Sequence, residues 1–171
     1  MTRKLILDLD TGIDDSLAIA YTLASPEAEL IGVTATYGNV LMRDSVRNSL
    51  AVLDLLGAPG IPVHPGLPCA SSAGDFSVQE ISAFIHGRNG IGEVDIADSR
   101  RSAETTGAVD VIIEASRRYG DELVYVPTGP LTNLAAALKK DPSLAERLTV
   151  VLMGGALTVS GNTSPWAEAN I

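Results

Sequence analysis

Apolar residues along this chain fall into two alternating patterns. Short runs rich in Val, Ile and Leu predict buried strands, whereas longer stretches with apolar residues three or four positions apart predict helices. The predicted strands are Leu5–Leu9, Leu30–Thr36, Ile61–Val63, Leu123–Val126 and Leu148–Met153. The predicted helices are one that opens at Asp14 and Asp15, followed by Asp44–Leu56, Gly107–Tyr119 and Leu131–Leu138. This alternation predicts an α/β fold with an open, mostly parallel sheet and helices on both faces.

One long segment, Pro65–Ala103, has no regular pattern and is rich in Gly, Ser, Pro and Ala. A loop of this length inside a compact domain is usually a lid, a binding loop or disordered. We expect it to be mobile without ligand and to close over a bound one, with Phe76, Phe84 and His86 offering stacking surface. The alternative is that Phe76 and Phe84 make ordinary core contacts.

Composition fits one compact domain. A chain of 171 residues, 46% hydrophobic and 4% aromatic, can bury a core of Val, Ile, Leu and Ala, so residues 1–171 are expected to form a single α/β domain. The net charge of −9 disfavours nucleic acid and anionic membrane as partners. Cys69 is the only cysteine, and no signal peptide or membrane span is apparent, so we expect a reducing, cytoplasmic location.

Four carboxylates lie close together near the start of the chain. Asp8 and Asp10 fall at the end of the first strand, Asp14 and Asp15 open the first helix, and Gly12 supplies the turn between them. These groups should meet at the carboxyl edge of the sheet, where open α/β folds bind ligands. Like charges this close need protons or a cation, and an all-oxygen site favours Ca²⁺ or Mg²⁺.

Helix capping is the alternative explanation for Asp14 and Asp15, because carboxylates are favourable at a helix N-terminus. Capping leaves Asp8 and Asp10 at the end of an apolar strand with no partner. Asp8 is the best candidate for a purely structural role, since strand alternation places it on the same side as Asp10 but one pleat deeper.

Other strands deliver polar residues to the same edge. Asn39 follows the second strand, Thr128 the fourth, and Met153 ends the fifth. Asn39 is alternatively a turn residue, and Thr128 is alternatively a helix cap.

His86 lies among glycines in the long segment, where the alternative is an exposed loop histidine. His64 has no such support and is interpreted as structural.

Asn162, Glu168 and Asn170 form a further polar cluster. A mixture of carboxylate and amide groups can satisfy sugar hydroxyls, each of which is both donor and acceptor. A solvated loop is the alternative for this segment.

Three motifs resemble those of the nucleoside hydrolases, Ca²⁺-dependent ribohydrolases that cleave the bond between ribose and base. Asp8–Ile19 resembles their N-terminal signature, and Val126–Asn133 resembles their Thr-Gly-x-Leu-Thr-Asn turn. The third motif is Met153–Ala156 followed by Gly161–Ile171. The resemblance covers the whole chain, which corresponds to the first part of a typical member. It implies a Rossmann-like fold of nucleoside hydrolase type, truncated at the C-terminus.

The resemblance also implies roles for particular residues. It assigns Ca²⁺ binding to Asp10, Asp15 and the main-chain carbonyl of Thr128. It assigns substrate binding to Asp14, Asn39, His86, Met153, Asn162, Glu168 and Asn170. Asp10 would act as general base, Asp14 would stabilise developing positive charge, and His86 would be the candidate acid for the leaving base. The implied setting is purine and pyrimidine salvage, with a ribonucleoside as partner and a homo-oligomer, dimer or tetramer, as the full-length form.

Two positions depart from the family pattern, and two groups are absent. Thr11 replaces the usual proline, and Ala169 replaces a bulky aromatic residue. In the family, a further aspartate beyond Asn170 completes the metal site, and in some members a histidine beside it protonates the base. We therefore expect this chain alone to hydrolyse nucleosides poorly or not at all.

Two other function classes stay open. Asp8-Leu9-Asp10 is also similar to the motif of haloacid-dehalogenase-type, Mg²⁺-dependent phosphohydrolases, but these need threonine where this chain has Gly12. A truncated domain that binds Ca²⁺ or ribosides without turnover is the second alternative. Phosphate release would support the first, and ribose binding without base release would support the second.

Overall fold

The computed structural model describes residues 2–168 and 170. Five strands occur in this part of the chain: β1 (Arg3–Leu9), β2 (Ala28–Ala35), β3 (Val63–His64), β4 (Leu123–Pro127) and β5 (Thr149–Val150). Its five α-helices are α1 (Ile13–Ala24), α2 (Met42–Leu55), α3 (Glu80–His86), α4 (Ala108–Tyr119) and α5 (Thr132–Lys140). Short 3₁₀ helices span Gly120–Glu122 and Pro142–Glu146.

The strands form one sheet in the order β3-β2-β1-β4-β5, and each neighbouring pair is parallel. The expected α/β fold with an open parallel sheet is therefore confirmed. All five carboxyl ends lie along one edge because the strands point the same way. β1 lies in the middle of the sheet. The next two strands in the chain, β2 and β3, lie on one side of it, and β4 and β5 lie on the other. A crevice for ligands is expected at the carboxyl end of β1, where the strand order reverses.

Alternate residues of β1 face two hydrophobic cores. Leu7 and Leu9 pack with Ile19 of α1 and Leu53 of α2 on one face. Ile6 lies on the other face, in the core that includes residues from α4 and α5. Helices therefore cover both faces, and the polar residues Asp8 and Asp10 fall on the α4 and α5 side by alternation.

Three parts of the secondary structure differ from the sequence prediction. The long segment contains α3, a seven-residue helix with no buried residue, which ends at His86 before Gly87 at φ +77°. The third strand is shifted to Val63–His64. The fifth is limited to Thr149–Val150, although the Val151 and Met153 amides still donate to the Tyr125 and Pro127 carbonyls of β4.

Exposed apolar side chains follow β5, including Val151, Leu152 and Leu157. Among the described residues, no helix is long and apolar enough to cross a membrane.

Candidate active site

Asp10 lies in the turn between β1 and α1, and Asp15 lies in the first turn of α1. Both are buried, with 6% and 1% of their surface exposed. The Asn39 amide donates to Asp10 Oδ2 at 2.5 Å. Asp15 Oδ2 accepts the Gly12 amide at 3.0 Å, so Asp15 also caps α1, and its Oδ1 accepts the Thr128 hydroxyl at 2.7 Å. The Thr128 side chain therefore binds Asp15 and does not cap α5, which has Leu131 at its N-cap.

No arginine or lysine among the described residues pairs with either carboxylate. Burial raises the pKa of Asp10 above its ordinary value, and the nearby charge of Asp14 raises it further. Burial, followed by the charge of Asp10, raises the pKa of Asp15 to about 7. Two buried oxygen ligands without a counter-ion are the donor set that suits a hard cation, so these residues fit Ca²⁺.

Asp8 does not join this pair. Its carboxylate is fully buried and accepts hydrogen bonds from Thr34 Oγ1 at 2.6 Å and Asn133 Nδ2 at 2.9 Å. Burial raises its pKa to about 6. These contacts favour the structural role beneath the turn that strand alternation predicts for Asp8, and the charge of Asp15 adds to the rise in its pKa. In the described part of the chain, no three His, Cys, Asp or Glu side chains are placed to hold a metal ion.

Asp14, Asn39 and His86 converge around Gly12. A Cβ added at Gly12 would lie 2.7 Å from Asn39 Nδ2, 2.7 Å from His86 Nδ1 and 2.9 Å from Asp14 Oδ1. His86 Nδ1 accepts the Ile13 amide at 3.2 Å and lies 3.6 Å from Asp14 Oδ1. His86 is thus the last residue of α3, held against the start of α1, and is not an isolated loop histidine.

The long segment contributes two aromatic residues with different surroundings. Phe76 is partly buried and packs against Tyr37 with ring centroids 4.7 Å apart. Phe84 on α3 is 85% exposed. It borders a cavity of about 700 Å³ between α3 and the start of α2.

The polar cluster near residue 170 contacts the site through Asn170. Asn170 Nδ2 donates to the Thr128 carbonyl at 2.7 Å, and the Asn170 amide donates to Glu168 Oε2 at 2.8 Å. Asn162 Nδ2 donates to Glu168 Oε1 at 3.2 Å. The structure therefore brings these three residues together beside Thr128.

Met153 is half exposed, and its amide donates to the Pro127 carbonyl at 3.0 Å. The contact places Met153 next to the end of β4, close in the chain to Thr128. Ala169, whose small size departs from the family pattern, lies outside the described residues.

Sequence reasoning gave no role to several polar residues beneath the site. Asn133 binds Asp8, and its side-chain oxygen accepts the Leu67 amide at 2.9 Å. Ser45, Asn48 and Ser49 of α2 are also buried. Their spacing of three and four positions places them on one helix face, and this periodicity is a signal that the sequence contains.

Comparison with known proteins gives consistent results. The family described as inosine-uridine preferring nucleoside hydrolase matches residues 5–171. The chain is 39% identical to uridine nucleosidase 1 of Arabidopsis thaliana, over 99% of this chain and 50% of that protein. It is 37% identical to the inosine-uridine preferring nucleoside hydrolase of Leishmania major, over 100% of this chain and 54% of that protein.

A solved structure, the purine-preferring ribonucleoside hydrolase from Gardnerella vaginalis, aligns with a TM-score of 0.96 and 62% identity. The alignment covers 98% of this chain and 54% of that one. The chain thus spans about half the length of the curated relatives it matches. With its family signature matched over nearly every residue and its fold reproduced, the chain belongs to the inosine-uridine preferring nucleoside hydrolase family.

Proposed function

We propose that this chain provides the metal- and ribose-binding part of an enzyme that hydrolyses the N-glycosidic bond of ribonucleosides with Ca²⁺, giving ribose and free base. The observation that carries the proposal is the buried pair Asp10 and Asp15, which lacks a cationic partner among the described residues and lies beside Thr128. Charge of this kind in a crevice at the strand ends is unfavourable unless a cation binds there.

Asp10, Asp15 and the main-chain carbonyl of Thr128 would hold the ion, since all three offer the hard oxygen atoms that Ca²⁺ prefers. A Ca²⁺ ion held there would orient and polarise a bound water, whose proton a nearby base would accept as the water attacks. In the structure the Thr128 carbonyl accepts a hydrogen bond from Asn170, so the same residue would join the metal ligands to the ribose-binding cluster.

Asp10 is the proposed general base. It would take the proton from the attacking water, and the Asn39 amide holds its Oδ2 in a fixed place. Asp14 lies at the mouth of the same turn with its side chain 56% exposed, where a substrate can reach it. Its charge would stabilise the oxocarbenium character of the ribose in the transition state.

His86 is the proposed hydrogen-bond donor to the leaving base. Because Nδ1 accepts the Ile13 amide, the ring would present Nε2–H to the base and stabilise the charge that develops on it. The remaining proposed substrate contacts come from Asn39, Met153, Asn162, Glu168 and Asn170. The amides and the carboxylate among them would share the ribose hydroxyls.

The relative from Gardnerella vaginalis is named as purine-preferring, so we place inosine ahead of uridine as substrate.

Thermal melting in Ca²⁺ and in EDTA tests the metal site. Ca²⁺ at 100 times its dissociation constant should stabilise the fold by about 2.7 kcal/mol. Asp10→Asn should abolish this gain, whereas Asp121→Asn, at the opposite edge of the sheet, should keep it. Equal melting midpoints in Ca²⁺ and EDTA for the unchanged chain would contradict the proposed site.

Ribose release from inosine, uridine and cytidine tests the chemistry, with a phosphomonoester as a control substrate. We expect weak or absent release by the 171-residue chain and ready release by a longer form that includes a following segment. Turnover that Asp10→Asn removes supports the hydrolase. Riboside binding without base release in either form would favour a binding domain instead.

A further inference from the structure

Thr11 lies in the turn between β1 and α1, directly after Asp10, and has an unfavourable backbone conformation. Its φ is +26°, a region that β-branched residues seldom adopt, and its side chain is fully buried. A residue kept in such a conformation needs compensation from its surroundings. The compensation comes from its hydroxyl group.

The Thr11 hydroxyl contacts two serines of α2, at 3.0 Å from Ser45 Oγ and 2.7 Å from Ser49 Oγ. Ser45 Oγ donates to the Leu9 carbonyl at 2.8 Å. Each hydroxyl has one proton to donate, so Ser45 must accept from Thr11, and Thr11 must accept from Ser49. The three hydroxyls therefore form a directed chain from α2, through Thr11, to the last residue of β1.

This hydroxyl chain, Ser49 to Thr11 to Ser45 to Leu9, brackets Asp10 from both sides. Leu9 precedes Asp10, Thr11 follows it, and the next amide, from Gly12, binds Asp15. Asn48 Nδ2 adds a contact to the Thr11 carbonyl at 3.3 Å. Any shift of Thr11 would change the separation of the two carboxylates.

We propose that Thr11 is a positioning residue, which uses the buried hydroxyl chain to set Asp10 and Asp15 at the separation that a Ca²⁺ ion requires. The inference rests on the proposed metal site. Residues that orient metal ligands from behind typically change affinity about 10- to 100-fold when they are substituted. A purely structural role would lower stability without changing affinity in the folded protein.

The test is Ca²⁺ affinity by titration calorimetry on the 171-residue chain, well below each melting midpoint. Thr11→Val keeps the shape and removes the hydroxyl, while Thr11→Ser keeps the hydroxyl. Ser49→Ala removes only the first donor and suits a helix, so it serves if Thr11→Val fails to fold. Thr22→Val is the matched control, because its buried hydroxyl donates within α1, to the Ala18 carbonyl.

We expect Thr11→Val and Ser49→Ala to weaken Ca²⁺ binding about 10-fold or more, with a double variant no worse than Thr11→Val alone. Thr11→Ser and Thr22→Val should bind as the unchanged chain does. Unchanged affinity in Thr11→Val, with a lower melting midpoint, would overturn the proposal.

If the unchanged chain binds no Ca²⁺, the metal site itself fails, and hydrogen exchange of residues 12–16 then decides between the outcomes. Faster exchange of these amides in Thr11→Val but not in Thr22→Val supports the hydroxyl chain as the element that positions the turn. Equal exchange in both variants overturns it.

Discussion

Asp8, Asp10 and Asp15 are three buried carboxyl groups with different neighbours. Asp8 receives hydrogen bonds from two side chains and lies beneath the site. Asp10 and Asp15 lie close enough for the charge of one to raise the pKa of the other. Removing the charge of Asp10 or Asp15 therefore relieves repulsion between them. Removing a hydrogen-bond partner of Asp8 instead leaves a buried charge less well solvated.

Asp15→Asn should raise the melting midpoint in EDTA at pH 8 and abolish the Ca²⁺-induced shift. Its amide oxygen can accept from Gly12, and its amide nitrogen can donate to Thr128, whose hydroxyl then keeps its contact with the Asp8 carbonyl at 3.3 Å. About 1 kcal/mol moves the midpoint of a chain this size by roughly 2–4 °C, so several degrees are expected. A lower midpoint in EDTA would show that the pair is not repulsive.

Asn133→Ala should destabilise the chain by about 1–3 kcal/mol, because it leaves Asp8 and the Leu67 amide short of a buried partner. Urea unfolding measures the loss. Asn133→Asp is the informative companion, since it sets a second carboxyl against Asp8 and should be far worse at pH 8 than at pH 5. An equal loss at both pH values would contradict this role for Asn133.

At the scale of elements, the helices and strands on the main cores were predictable and the edges were not. The apolar periodicity of α2 and α4 predicts both helices within two residues, because their buried faces dominate their sequences. α3 has no buried residue and therefore no such periodicity. β5 spans only Thr149–Val150 of the apolar run over 148–153, and beyond it the Val151 and Met153 amides still donate to β4.

α3 and the segment before it should differ in local stability. Phe76 is packed on Tyr37, and Leu67 is bound by Asn133, whereas Phe84 is exposed. We expect the amides of Glu80–His86 to exchange with solvent much faster than those of α4, and to slow when a riboside binds. Exchange of α3 as slow as that of α4 in the free chain would argue against a lid.

For the whole molecule, the buried carboxylates set the dependence of stability on pH. The pKa of Asp8 is raised from 3.8 to about 6, and that of Asp15 from 3.8 to about 7. Between each ordinary pKa and its raised value, the folded state binds more protons than the unfolded state. The free energy of unfolding in EDTA should therefore fall as pH rises through this window. Asp141 has the opposite effect on stability at pH values below this window. Ser143 and Arg147 lower its pKa, so its contribution to the free energy of unfolding is lost as pH falls.

Melting in EDTA at pH 5, 6, 7 and 8 measures this dependence. The midpoint should decrease from pH 5 to pH 8, and saturating Ca²⁺ should remove most of the decrease because the ion favours ionised ligands. Asp15→Asn should flatten the curve. A midpoint that rises across this range in EDTA would show that Asp8 and Asp15 do not control the pH dependence of stability.

The sequence was sufficient for the family motifs and for the edge of the sheet at which they meet. It was not sufficient to separate the roles of the aspartates. Asp8 and Asp10 have the same strand alternation and differ in their tertiary contacts, which come from Thr34 and Asn133 for Asp8 and from the Asn39 amide for Asp10. Thr34 and Asn133 come from distant parts of the chain. Such contacts depend on tertiary packing and have no local pattern.

The short edge strand β5 also affects how copies of this chain behave together. Among the described residues, β5 pairs with β4 alone and is followed by exposed Val151 and Leu152, so this edge is a template for strand addition. The net charge of −9 keeps copies apart at low ionic strength. At 0.1 M salt the screening length is about 10 Å, and repulsion between charges farther apart than this is largely lost. Concentrated samples should therefore aggregate more readily as salt is added.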